Sequence, residues 1–242
     1  MKRISLRVHA ALIAAAIIAA LPVAGQGAGL FGRIAQSLPL AANEVLSHMD
    51  EAAHDLKTVT AHLTYTTVTV LVNDRAIQTG RLFYRSGKHP EVLVQFSGPS
   101  GKEILFKKNQ AEIYYRQINQ IQEYDLERRR DLLQQFLLLG FGTETAELEA
   151  SYQVRYLGKK RLGGAMIPVL ELTPVQKSVA AQLSKVDLWI NPRSWLPVQQ
   201  EFFEASGDYL IASYSQIQVN EPLASSVFKI RAKRGAEHVK MN

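Results

Sequence analysis

The pattern of apolar and polar positions singles out one short, very apolar helix among long runs of strand-like sequence. Residues 131–141 carry apolar side chains at seven positions, and Gln134 and Gln135 form the remaining polar stripe. Leucine, glutamine and phenylalanine followed by Gly140 are typical of a short helix that ends at a glycine C-cap. A helix that is apolar nearly all round must be covered nearly all round. We interpret it either as an ordinary core helix or as a removable plug.

Strand-like segments rich in β-branched and aromatic residues follow one another on both sides of this helix. Turn residues such as Asn73 and the Ser-Gly-Pro-Ser-Gly run of residues 97–101 separate them at hairpin spacing, which predicts an antiparallel meander. With an amphipathic helix over residues 43–57, the chain is predicted to form one α+β domain. The eleven predicted strands are residues 63–72, 77–85, 92–96, 103–107, 112–116, 120–124, 152–158, 167–172, 185–190, 197–203 and 209–219.

Several of these strands are apolar on both alternating sides, as Leu82, Phe83 and Tyr84 show. An antiparallel sheet with one face in water should alternate cleanly. Either helices cover the second face, or the sheet curls around an apolar hollow. Roughly 35–40 helix-predicted residues are too few to cover eleven strands, which favours the hollow. The predicted lining of this cavity is Leu63, Tyr65, Phe83, Val92, Val94, Phe96, Ile104, Phe106, Phe202 and Ile211, and the predicted lid over it is Leu132, Leu133, Phe136, Leu137 and Phe141.

The N-terminus has the features of a secretory signal peptide over residues 1–25. Lys2, Arg3 and Arg7 precede an apolar run of about 15 residues that ends in small residues. This run is shorter than the roughly 20 residues of a membrane span. We therefore expect cleavage, a periplasmic location and loss of these three bases from the formal charge of +6. A mildly basic exported chain is not expected to bind nucleic acid.

The rest of the chain is predicted to comprise a flexible leader (residues 26–42), the folded domain (residues 43–230) and a basic polar tail (residues 231–242). The 242 residues include no cysteine, which excludes disulfides, thiolate metal sites and a lipid-modified N-terminal cysteine.

Motifs for catalysis are not found. Residues 98–101 lack the Gly-x-Ser-x-Gly spacing of a nucleophile elbow, and His48 and His54 lie roughly 120° apart around their helix, too far to share a metal. We predict no enzyme activity, metal or cofactor. Arg128, Arg129 and Arg130 precede the apolar helix. They are interpreted as a solvated turn or as a basic rim for anionic headgroups.

Across residues 43–230 the chain resembles the periplasmic carriers of the outer-membrane lipoprotein localisation pathway, the LolA type. The resemblance lies in residues 80–85 (Gly-Arg-Leu-Phe-Tyr-Arg), 170–174 (Leu-Glu-Leu-Thr-Pro), 186–191 (Val-Asp-Leu-Trp-Ile-Asn) and 217–220 (Ile-Gln-Val-Asn) followed by Phe228. It implies an unclosed antiparallel β-barrel whose helices lid a hydrophobic cavity. In those carriers an arginine between lysine and proline holds the lid shut. Here the matching residue is His89, with Arg85 nearby, and both are candidates for the lid latch.

The resemblance implies a monomeric carrier that shields acyl chains of lipoproteins between the inner and outer membranes. Its implied partners are acylated lipoproteins or other lipids, an inner-membrane releasing complex and an outer-membrane acceptor. The missing cysteine argues against the acceptor, which shares the fold but is itself a lipoprotein. The alternative is a sensor or binding module of the cell envelope with a different hydrophobic ligand. A further protein-binding domain after the barrel would favour the sensor, and little sequence follows the predicted barrel. An envelope-lipid hydrolase is disfavoured because no catalytic set is visible.

Overall fold

Twelve strands form one sheet in the computed structural model, which describes residues 40–108, 110–125 and 140–241. The predicted signal peptide and most of the predicted leader lie outside these residues. The strands are β1 (Thr58–Thr69), β2 (Asp74–Arg85), β3 (Glu91–Phe96), β4 (Lys102–Lys107), β5 (Gln110–Tyr115), β6 (Gln120–Asp125), β7 (Tyr152–Leu162), β8 (Ala165–Pro174), β9 (Leu183–Ile190), β10 (Pro197–Glu204), β11 (Tyr209–Val219) and β12 (Glu237–Met241).

The strands lie in the order β12-β6-β5-β4-β3-β2-β1-β11-β10-β9-β8-β7. Every neighbouring pair is antiparallel except β12 and β6, which are parallel. Strands β1 to β6 form one meander and β7 to β11 form a second. The two meanders are joined by the pairing of β1 with β11. The two outermost strands, β7 and β12, do not pair with each other. The predicted incomplete antiparallel barrel with a few helices is therefore confirmed.

Three α-helices accompany the sheet in the described part of the chain: α1 (Leu40–His54), α2 (Thr145–Ser151) and α3 (Lys177–Ala180). The buried residues Val45, Leu46 and Met49 of α1 recur at the three- and four-residue spacing of one helix face. Thr145 ties α2 to α1, because its backbone N–H donates to Asp50 Oδ1 at 2.6 Å and its hydroxyl donates to the Leu46 carbonyl at 3.1 Å. Within the described residues, none of the helices has the length and apolar character needed to span a membrane.

The first predicted strand ends earlier than its sequence indicates. Its β-branched, apolar run continues to Val72, but β1 stops at Thr69 and Val70–Val72 form a 3-10 turn. Asn73 adopts a left-handed conformation with φ of 48°, and its N–H donates to the Val70 carbonyl at 3.2 Å. The β1–β2 hairpin needs this tight turn, so residues 70–72 leave the strand despite their high strand propensity. Leu71 is consequently 94% exposed.

The predicted polar tail contains the twelfth strand. β12 pairs in parallel with β6, and none of its side chains is fully buried. It is held by its backbone ladder, by a Gln120 Nε2 to Glu237 Oε2 hydrogen bond of 2.9 Å and by a contact of 2.6 Å between His238 Nδ1 and Glu123 Oε1. Apolar periodicity cannot reveal such a strand, because a sheet edge offers backbone hydrogen bonds to any extended segment.

Candidate functional site

Strand register divides the sheet into two faces of different character. Residues that lie opposite one another in paired strands point to the same side of the sheet. One side, named here the apolar face, holds the residues in register with Ala61, namely Leu82, Val94, Ile104 and Ile113. The other side, named here the polar face, holds the residues in register with His62, such as Arg81 and Gln95.

Eight of the ten predicted cavity residues lie on the apolar face. Six of them are nearly inaccessible, between 2% and 6% exposed, and the other two, Tyr65 and Ile104, are partly buried. The six are Leu63, Val92, Val94, Phe96, Phe106 and Phe202. Sequence reasoning missed buried members of the same face, including Leu82, Ile113, Leu170, Leu172, Val186 and Leu188. Every second residue of a strand points to the same face, and each hairpin carries that face to the next strand. Starting from Val94 and Phe202, this rule would have predicted them.

Phe83 and Ile211 are corrections to the predicted lining, because both lie on the polar face. Phe83 packs there with Leu93, Leu105 and Phe228, and Leu223, Val227 and Ile230 cover this cluster. Ile211 lies opposite Thr66 and Glu201. Strands β2 to β4 are thus apolar on both sides partly because the segment after β11 covers a small second core on the polar face. The sequence pattern assigned both apolar sides to one hollow.

The described helices cover one side of the apolar face more than the other. α1 and α2 pack mainly against each other and β7, and α3 packs mainly against β8 and β9. None of them makes a comparable contact with β2 to β6. In that half, Val92, Val94 and Phe106 are still no more than 6% exposed. The apolar face is therefore well buried along strands β3 and β4.

The segment from Gly140 to Gly142 lies across the apolar face. Phe141 is 1% exposed, and its ring meets the Tyr214 ring edge-on with 5.0 Å between centroids. Gly140 has φ of +84°, and a Cβ there would lie 2.7 Å from Pro197 Cγ. Gly142 has φ of +69°, and a Cβ there would lie 2.5 Å from the Tyr84 hydroxyl. Only glycine fits both positions, so the backbone of this segment packs closely against the sheet.

Four of the five predicted lid residues, Leu132, Leu133, Phe136 and Leu137, lie outside the described residues, and their role stays a prediction. Phe141, the fifth, is described, and it occupies a tightly packed site between two glycines that lie close to the sheet. We therefore expect Phe141 to anchor the predicted lid rather than to move with it.

Tyrosine and glutamine side chains supply the polar groups of the apolar face. The Tyr214 hydroxyl donates to Gln200 Oε1 at 2.7 Å. Burial raises the pKa of Tyr214, and the neighbouring Tyr65 raises it further, so this phenol stays a neutral donor. Gln78, opposite Tyr65 in the register, has a buried Oε1 with no hydrogen-bond partner in the described structure. The face is thus mainly apolar, with a few directional polar groups.

Most of the chain matches one protein family. Residues 41–232 match the family model described as the MucB/RseB N-terminal domain. The chain belongs to this family. No curated protein sequence shows significant similarity to it.

Solved structures agree with the MucB/RseB assignment at the level of the fold. MucB, which has also been crystallised in complex with MucA, is 14% identical, with a TM-score of 0.50 over 79% of this chain. This chain spans 63% of the MucB chain. An uncharacterised conserved protein from Thermus thermophilus is 14% identical, with a TM-score of 0.54 over 83% of this chain and 99% of that one.

A LolA superfamily protein from Nitrosomonas europaea is also similar. It is 17% identical, with a TM-score of 0.39 over 78% of this chain and 97% of that one. The predicted LolA-like resemblance is confirmed, with MucB/RseB as the family.

One latch candidate of this MucB/RseB-family chain belongs to the other face. Arg85 lies on the polar face, where its Nε donates to Glu91 Oε2 at 2.9 Å and its Nη1 donates to Ser225 Oγ at 3.1 Å. Its guanidinium also lies 4.7 Å from the centre of the Phe228 ring. Arg85 therefore fastens the segment after β11 and is not placed to hold a lid on the apolar face.

His89, the other candidate, is exposed in the turn between β2 and β3. The lid residues it would have to contact lie outside the described part of the chain, so its role as a latch stays a prediction.

A separate cavity of about 570 Å³ lies beside the C-terminal half of α1 and the start of α2. Its lining includes the acidic residues Asp50, Glu51, Asp55 and Glu144, and Gly142 links it to the edge of the apolar face. Asp50 already accepts the Thr145 N–H. Among the described residues, no group of three histidine, aspartate or glutamate side chains is arranged to hold a metal ion. This cavity does not coincide with the predicted lipid cavity.

Proposed function

We propose that this chain is a periplasmic binding protein that holds acyl chains against its apolar face, with those of lipoproteins as its main cargo. The observation that carries the proposal is the apolar face of strands β2 to β6, on which Val92, Val94 and Phe106 are no more than 6% exposed. Val94, Ile104 and Ile113 form one row across this part of the face, and no charged side chain of their strands joins that row. A flexible hydrocarbon chain matches such a surface better than a polar substrate does.

The energies of loading are compatible with reversible binding. Burial of an acyl chain contributes about 0.8 kcal/mol per methylene, so a 16-carbon chain contributes on the order of 12 kcal/mol. The four proposed lid residues before Gly140, at about 2 kcal/mol each, contribute about 8 kcal/mol when they fill the same space. Because these contributions differ by only a few kcal/mol, exchange of lid for lipid leaves a modest net driving force. In the proposed mechanism the lid leaves the face as the acyl chain enters and returns when it departs.

The second candidate function is an envelope sensor that binds a lipid or lipoprotein and signals to a partner protein. Membership of the MucB/RseB family favours it, and MucB itself forms a complex with MucA. The two candidates share the acyl-binding face and differ in the step after binding. A carrier hands its ligand to an acceptor membrane, whereas a sensor keeps the ligand and changes its affinity for a protein.

Transfer between vesicles tests the proposal and separates its two forms. Donor vesicles hold a fluorescent palmitoylated peptide, acceptor vesicles hold a quencher, and the purified protein is added at increasing concentration. A carrier forms a soluble complex with the peptide and accelerates quenching in proportion to its concentration. A sensor forms the complex without accelerating transfer. Failure to form any complex with the peptide would contradict both forms.

A further inference from the structure

A hairpin at one edge of the sheet projects beyond the neighbouring strand. β7 and β8 remain paired up to the turn that joins them, whereas β8 pairs with β9 only over residues 169–172. Residues 159–168, named here the basic hairpin, therefore lie beyond the pairing with a third described strand. Gly163 and Gly164, with φ of +55° and +85°, form its two-residue turn, and a Cβ on either would meet no atom within 4 Å. The turn of the basic hairpin thus extends into open space.

The basic hairpin carries positive charge and no negative charge. Residues 156–170 include three basic residues and neither aspartate nor glutamate. Lys160 points to the polar face, where its Nζ lies 3.8 Å from Asp187 Oδ2. Its neighbours Lys159 and Arg161 point to the opposite side of the sheet, are exposed, and form no ion pair with a described residue. Two cationic side chains of this hairpin therefore face solvent without a described acidic partner.

An exposed methionine lies on the same side as these two cations. Met166 is opposite Arg161 in the register, and it is 49% exposed. It also lies on the same side of β8 as Leu170 and Leu172, because every second residue of a strand points the same way. The exposed side of the basic hairpin is therefore continuous with the apolar face of the sheet.

We propose that the basic hairpin docks on the surface of a lipid bilayer that contains anionic lipids. Lys159 and Arg161 bind lipid phosphates, and Met166 enters the headgroup layer between them. Basic side chains beside an exposed apolar one are the combination that holds a protein segment at such an interface. The inference goes beyond the proposed function, because docking brings the apolar face next to a bilayer whether or not that face binds acyl chains.

The size and charge of the basic hairpin favour a bilayer over an acidic protein. A specific protein interface takes roughly 20–30 residues from each partner, and residues 159–168 are far fewer. A bilayer needs no matching shape, since its phosphates rearrange around each cation and its headgroup layer accepts an apolar side chain. Both unpaired cations and the exposed methionine are used at once on such a surface.

Co-sedimentation with vesicles tests the docking. The purified protein is mixed with phosphatidylcholine vesicles that contain about 30% phosphatidylglycerol or none. The wild type is expected to bind the anionic vesicles more tightly, and less so as salt is added. The double variant Lys159→Gln/Arg161→Gln should weaken this binding on the order of 20-fold, at about fivefold for each charge. The control Arg75→Gln/Lys177→Gln removes two exposed charges at the opposite end of the sheet and should leave the binding nearly unchanged. Met166→Gln should weaken binding without changing its salt dependence.

Three results would overturn the docking. They are equal binding of the wild type to both kinds of vesicle, unchanged binding of Lys159→Gln/Arg161→Gln, and an equal loss in the control variant. Polyglutamate separates a bilayer from an acidic protein as the partner. If it binds as tightly as the anionic vesicles and Met166→Gln has no effect on vesicle binding, a bilayer is the wrong partner. Complex formation with the palmitoylated peptide is a separate measurement, and its failure would contradict acyl binding while leaving the docking intact.

Discussion

The Phe141 ring meets the Tyr214 ring edge-on, with 5.0 Å between centroids and 87° between ring planes. Tyr214 donates in turn to Gln200 on the next strand. Phe141, the residue after the predicted lid helix, therefore contacts β11 through Tyr214, and Tyr214 links it to β10. We therefore expect a lid that moves to pivot before Gly140, with Phe141 left in place.

The first prediction concerns this anchor. Phe141→Ala should lower the free energy of unfolding by about 3–5 kcal/mol, because it removes a fully buried ring and leaves a cavity. Urea denaturation measures the change. Phe203→Ala is the control, since Phe203 is a partly exposed phenylalanine on the polar face and its loss should cost clearly less. A loss below about 1 kcal/mol for Phe141→Ala would show that the ring is not an anchor.

The second prediction uses two glycines with similar backbone angles. Gly142 and Gly158 have φ of +69° and +81°, but a Cβ would meet the Tyr84 hydroxyl at Gly142 and open space at Gly158. Gly158→Ala should cost about 1–2 kcal/mol from the left-handed backbone alone. Gly142→Ala should cost more, and Tyr84→Phe in the same chain should restore part of the difference. Equal costs for the two alanines, measured by thermal unfolding, would argue against close packing at Gly142.

The third prediction separates a movable lid from a fixed core helix. In a fixed core, Leu137→Glu would bury an unpaired carboxylate, cost several kcal/mol and remove cooperative unfolding. On a movable lid the helix swings out, the sheet survives, and an apolar dye binds more strongly than in wild type. We expect the second result. Loss of the cooperative thermal transition in this variant would support the core helix.

Local patterning predicted the sheet well, because each hairpin carries its own signal. β1 to β11 each coincide with a predicted segment, and Asn73 and residues 97–101 mark turns as expected. Strand β12 was not predicted, because its pairing depends on the edge of β6 and on no buried apolar residue of its own. Sequence patterns report burial more directly than backbone pairing.

The assignment of faces was harder, because adjacent apolar residues on one strand point in opposite directions. Leu82 and Phe83 both read as core, yet one lies on the apolar face and the other contacts Phe228, some 145 positions later in the chain. That contact depends on where the segment after β11 crosses the polar face. The same crossing places Ser225 next to Arg85, and the pattern of one strand alone could not predict that hydrogen bond.

The fourth prediction concerns pH and Glu91. Burial alone would raise the pKa of Glu91, but hydrogen bonds from Lys107 and Arg85 and the charges of both outweigh it and hold the pKa below its ordinary 4.5. The folded state thus favours the carboxylate, and this stabilisation is present above pH 4.5 and lost as the pH falls further. Glu91→Gln should cost about 1.5–3 kcal/mol at pH 7 and clearly less at pH 3 by urea denaturation.

The control for this series is Glu51→Gln. Glu51 is exposed and its carboxylate contacts the His48 ring at 3.4 Å, so its substitution should change stability by less than about 0.5 kcal/mol. An equal cost of Glu91→Gln at both pH values would refute the charge-dependent role of Glu91.

The most direct test of the acyl-binding face uses two isoleucines that differ mainly in which face they occupy. Ile104 and Ile211 are both partly buried strand residues, Ile104 on the apolar face and Ile211 on the polar face. Ile104→Trp should occupy space needed by about two methylenes and weaken binding of a 16-carbon acyl probe roughly tenfold. Ile211→Trp should leave the affinity unchanged, with cooperative unfolding confirmed for both variants. Equal affinity in the two variants, or a loss confined to Ile211→Trp, would contradict the account.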